Sequence, residues 1–87
     1  MKVSPGDIVY SIAGRDSGNY FVVVAVEDNY AFVCDGRSRK TDKPKKKKIK
    51  HVKTGFGHSD YIANKLSNGD KVTNSELRIE LNPYAEH

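Results

Sequence analysis

A single cysteine, Cys34, leaves this 87-residue chain without an internal disulfide and without cysteine partners for a metal cluster. A reducing, cytoplasmic setting is the expectation. Long apolar runs are missing too. The longest, Tyr20 to Val26, is far too short to span a bilayer, and residues 1–6 lack the apolar stretch of a secretory leader. The basic residues are not interleaved with bulky apolar ones, so insertion at a membrane surface is not expected either. Nor is there a nucleophile, base and orienter set, a phosphate-cradling glycine loop before a helix, or a pair of carboxylates placed for acid–base work. An enzyme is therefore not expected. His51 and His58 stand seven apart with no acidic or cysteine partner at a ligand spacing, which gives no zinc site and no cofactor. No segment repeats, and the length suits one domain that buries roughly 60–65% of its unfolded surface.

What is present is charge, unevenly placed. The net charge is +4, yet Gly36 to Lys53 holds ten basic residues against one acid, giving +9, while the other 69 residues hold five basic against ten acidic, giving −5. The centre of the positive segment reads KPKKKKIKH over residues 43–51. Lysines serving solubility alone would be scattered, whereas a concentrated field implies an anionic partner for that segment. Lysines on an edge strand also guard against edge-to-edge aggregation, but one or two suffice for that, and adjacent like charges repel.

Strand signals fill the first half. Asp7 to Ala13 alternates, with Ile8, Tyr10 and Ile12 on one face, as in a half-buried strand. Gly14 to Asn19 collects turn residues. Tyr20 to Glu27 is β-branched and aromatic almost throughout, the pattern of a central strand covered on both faces. Asp28-Asn29 suits a tight hairpin into Tyr30 to Asp35, where Cys34 reads as a small core hydrophobe and not a nucleophile. After the Asp35-Gly36 turn, Ile49 to Lys53 is expected as a short charged edge strand entered through Pro44. Composition then turns helical. Ser59 is the expected N-cap of a helix ending before Gly69. Thr73 and Glu76 have capping-box spacing ahead of Leu77 and Leu81, Pro83 marks the stop, and Tyr84 to His87 reads as a frayed end. About four short strands followed by two helices predict a mainly β domain: a small, bent, partly open barrel with short C-terminal helices.

The Gly-Asp-led strand, the turn Ala13-Gly14-Arg15-Asp16-Ser17-Gly18 and the valine-rich strand after it resemble the KOW motif of SH3-like barrels. Val33-Cys34-Asp35-Gly36 and the basic stretch through Lys48-Ile49-Lys50-His51-Val52-Lys53-Thr54-Gly55 extend the likeness to archaeal and eukaryotic large-subunit ribosomal proteins, and more closely to the short bacterial KOW-domain proteins related to them. The likeness runs from about Val3 to Gly55. It implies an SH3-like barrel over residues 1–56, with residues 57–83 as a helical extension on the same domain. It also implies binding to structured RNA, usually ribosomal, without catalysis. A lysine frequent in the family before the second glycine is Ser17 here, leaving Arg15 as that loop's only cation.

The residues expected to meet RNA are Arg15, Arg37, Arg39, Lys40, Lys43, Lys45, Lys46, Lys47, Lys48, Lys50 and His51. Lysine ammonium groups suit phosphates because they are compact point charges, and arginine can fork onto a phosphate or stack on a base. His51 would gain charge beside phosphate, or else pack against the sheet. Tyr20 and Tyr61 can stack on bases or serve the core. A monomeric, cytoplasmic ribonucleoprotein component or translation-associated factor is the main reading. The alternative takes Pro44 to Lys50 as a nuclear-localisation-type basic signal on a small protein-interaction module, which requires a flexible run.

Overall fold

The computed structural model describes residues 2–85. Strands β1 (Asp7–Ser11), β2 (Tyr20–Glu27), β3 (Tyr30–Cys34), β4 (Lys45–Lys48) and β5 (Val52–His58) precede helices α1 (Asp60–Ser67) and α2 (Asn74–Ala85), with a 3-10 turn at Ile49–His51. The strands form one antiparallel sheet in the order β4-β3-β2-β1-β5. The chain is thus mainly β, with a helical tail, as expected.

The connection between the outermost strands sets the shape. In a flat five-stranded sheet β4 and β5 would lie about 19 Å apart, whereas the chain from Lys48 to Val52 reaches at most about 14 Å. The sheet must therefore curl until its edges approach. The Ile49 amide donates to the Asn29 carbonyl (2.8 Å) and the Ile12 amide to the His51 carbonyl (3.0 Å), pinning the turn to both sides of the curl. β4 and β5 do not pair with each other, so the sheet stays open along that seam.

Curling creates two apolar layers. Val9, Phe21, Val23, Ala31, Val33 and Val52 come from strands alone and fill the concave side. On the convex side Ile8, Val22 and Cys34 meet Ile62 of α1, Val72, and Leu77 and Leu81 of α2. Each fully buried aliphatic side chain contributes about 1.5–3 kcal/mol, which is what holds two short helices to the sheet. Cys34 is a core residue, and burial, aided by the charges of Asp35 and Asp42, pushes its thiol up to about 11.

Both helix starts follow the sequence. Ser59 Oγ accepts from the Ile62 amide (3.1 Å) and donates to Glu80 of α2. Thr73 Oγ1 accepts from the Glu76 amide (3.2 Å) while Glu76 Oε1 accepts from the Thr73 amide (2.8 Å), the reciprocal bonds of a capping box. Glu76 also binds Lys65 Nζ of α1 at 2.7 Å and the Tyr61 hydroxyl.

Four expectations are corrected. β1 is covered on both faces, because Val9 and Ser11 enter the concave interior and only Ile12 is exposed. The expected edge strand Ile49–Lys53 is split: Ile49–His51 is the 3-10 turn, Val52 and Lys53 begin a fifth strand on one edge that runs past residue 56 to His58, and Lys45–Lys48 forms the other edge. Helix α2 includes Pro83 and extends to Ala85. Tyr84 is tied down, its hydroxyl donating to the Phe56 carbonyl at 3.0 Å. Glu86 and His87 of the expected frayed end lie outside the described residues.

Candidate nucleic-acid interface

Strand alternation sorts the lysines of β4. Lys46 and Lys48 pair with Phe32 and Tyr30 and share their face, and both are exposed, with Lys46 Nζ 4.4 Å from the centre of the Tyr30 ring. Lys45 and Lys47 lie opposite Val33 and Ala31 and turn the other way. Lys45 is half-buried and Lys47 is buried. Lys47 Nζ donates to Asp16 Oδ1 at 2.6 Å and to the Ala13 carbonyl at 2.8 Å. It does not join the solvent-facing set.

Lys47 instead organises that set. Its two bonds clamp the Gly14–Gly18 loop, and with it Arg15, against the lysine strand. Burial alone would raise the Asp16 carboxyl, but the bonds from Lys47 and Ser11 outweigh it and hold the group below its ordinary range. A partner 31 residues distant in sequence made this inward turn invisible to pattern reading.

The remaining cations spread along the neighbouring segments. Arg37, Arg39 and Lys40 ride on a loop shaped by Asp35, whose Oδ1 accepts from the Arg37 amide (2.8 Å) and the Arg39 amide (2.9 Å) and whose Oδ2 accepts from Ser38 Oγ (3.0 Å). Gly36, at φ +77°, sits where any Cβ would collide with the Asn74 carbonyl at the start of α2. Arg78 Nη1 donates to the Gly36 carbonyl at 2.7 Å, and the Thr41 amide donates to Asn74 Oδ1 at 2.9 Å. The helical tail thereby fixes the loop. Lys43 is exposed ahead of β4, Lys50 is exposed in the 3-10 turn with His51 half-buried beside it, and Lys53 is exposed on β5. Among the described residues, lysine ion pairs are Lys47–Asp16 and Lys65–Glu76. Among those residues, Lys40, Lys43, Lys45, Lys46, Lys48, Lys50, Lys53 and the segment's two arginines have no carboxylate partner.

Two features escaped the sequence. His58 does have acidic neighbours, Asp7 Oδ1 at 2.6 Å from Nδ1 and Asp60 Oδ1 at 3.6 Å from Nε2, since pairing of β1 with β5 brings Asp7 across 51 residues. The second is an aromatic group drawn from four segments. Tyr20 lies 4.9 Å from Tyr10, 5.3 Å from Phe56 and 5.3 Å from Tyr84, between ring centres. A bulge carries Phe56 there, because β5 advances four positions, from Lys53 to Gly57, where β1 advances two, from Tyr10 to Ile8. Tyr61, by contrast, lies apart on α1, 55% exposed and bonded to Glu76.

No protein-family model matches the chain, and no curated protein sequence matches it at a significant level.

Proposed function

We propose that this chain is a non-catalytic RNA-binding domain whose curled sheet is of the SH3-like, KOW-motif kind. It grips the phosphate backbone of structured RNA, ribosomal or ribosome-associated, and acts as a cytoplasmic monomer. One observation carries the reading: the exposed cations Arg37, Lys40, Lys43, Lys46, Lys48, Lys50 and Lys53 are held along one segment, and none has a carboxylate partner among the described residues. Backbone pairing to β3 sets the spacing of Lys46 and Lys48, so the cost of ordering their backbone is met in folding and not on binding.

Point charges on a fixed strand read backbone path and not base identity. RNA shape, or a few splayed bases, would then supply selectivity. The nuclear-signal alternative needs a free, extended peptide, and residues 45–48 are paired within the sheet.

The test is binding of the full chain to ribosomal RNA fragments across a salt series. With about six phosphates neutralised, log K falls against log salt with a slope near −5 on duplex and near −4 on single strands. A flat salt response, or equal preference for heparin and structured RNA at physiological salt, would refute the reading.

A further inference from the structure

A groove of about 580 Å3 opens between the aromatic group, the Asp35–Arg39 loop and α2. Its size falls within the roughly 300–1,000 Å3 of pockets that take small ligands. Tyr10, Tyr20 and Tyr84 line it together with Arg37 and Arg78. Gly18, at φ +94°, and Asn19 form its lip.

The lining is of two kinds. The tyrosines are half-buried, offering ring surface together with hydroxyls. Arg37 is exposed and has no carboxylate partner among the described residues. Arg78 spends one bond on the Gly36 carbonyl, leaving further N–H donors. Asp35 also lines the groove, but its oxygens already accept from the Arg37 and Arg39 amides and from Ser38. Aromatic rings and two guanidinium-bearing side chains lining one groove match a ligand that is aromatic at one end and anionic at the other.

Resting on the RNA-binding reading above, we propose that this groove holds one unstacked nucleotide of a bound RNA, its base against Tyr10 and Tyr20 and its phosphate on Arg37 and Arg78. Arg37 belongs both to the groove and to the positive segment, so one backbone can run from the lysine edge into the pocket. The groove then discriminates looped or single-stranded positions from paired ones, because a paired base cannot leave its stack without cost.

The chain has five tyrosines and no tryptophan, so its intrinsic emission is tyrosine emission, and three of the five line the groove. The experiment titrates the full chain with a single-stranded decauridylate, a 20-base-pair RNA duplex and a decaproline peptide, recording anisotropy of labelled probes and tyrosine emission. Decauridylate should quench the emission. Tyr10→Leu should weaken decauridylate binding about tenfold or more while leaving duplex affinity and the salt slope unchanged. Arg37→Gln, made on an exposed side chain and therefore safe for folding, should weaken decauridylate binding and make its salt slope shallower by about 0.7. If both variants bind decauridylate as the parent does while duplex binding persists, the pocket is overturned and the phosphate-gripping edge stands. Failure of the parent to bind either RNA overturns both readings. Quenching by decaproline and not by decauridylate assigns the groove to a peptide and overturns the nucleotide.

Discussion

Lys46 and Lys47 are neighbours on one strand with the same side chain, and their circumstances are opposite. Lys46 lies in solvent over the Tyr30 ring, whereas Lys47 is 7% exposed and bonded to Asp16 and the Ala13 carbonyl. Period-2 geometry separates them, and a carboxylate waits on one side only. Local sequence therefore gives no measure of what a lysine in this run does. Its face decides whether it anchors the fold or offers charge to a partner.

The largest expected effect comes from the inward side. Lys47→Ala strands Asp16, whose Oδ2 is already buried without a hydrogen-bond partner, and should destabilise the domain by about 3 kcal/mol in urea-induced unfolding. Combining Lys47→Met with Asp16→Asn should cost less than the sum of the single changes, since no unpaired charge stays buried. An additive result would break the contrast between the two faces. On the outward side, Lys46→Gln with Lys48→Gln should move stability by no more than about 0.5 kcal/mol while making the RNA salt slope on a duplex about 2 shallower. Unfolding by that pair would show that the exposed face is structural after all.

A third test sets the buried ion pair beside the one that joins the helices. The Lys65 ammonium, the Tyr61 hydroxyl and the Thr73 amide hold the Glu76 carboxyl down to about 2. A folded-state value below the unfolded one stabilises the protein fully above about pH 4.5, and this contribution is lost as pH falls toward 2. Glu76→Gln should accordingly flatten the stability profile between those values, read from thermal melts across pH. The smallest effect concerns Cys34. With its thiol near 11 and fully buried, it should resist alkylation at pH 8 in the native protein. Lys47→Ala should speed its labelling, by about tenfold for every ~1.4 kcal/mol of stability lost, and Lys46→Gln should not.

Much of this architecture was legible because it is written locally. Ser59 and the Thr73–Glu76 box act within three residues, and β2 declares itself through continuous β-branched residues. What escaped depends on distant partners. β5 was hidden because Gly55, Phe56 and Gly57 break alternation, and only its pairing with β1 makes them a strand. A side chain at Gly57 would displace the Tyr84 hydroxyl, which lies where its Cβ would stand. The site divided in the same way. The concentration of cations was plain, while the withdrawal of Lys47 needed Asp16, and the aromatic group needed Tyr10, Tyr20, Phe56 and Tyr84 to be brought together by folding.

The three residues Ile49 to His51 work as a buckle on a hoop. They fasten the rim that carries Lys46 and Lys48 to the rim that carries Phe56. Inserting residues into that clasp would release the constraint on strand spacing that obliges the sheet to bend, because these three residues are the whole of the link between its two edges.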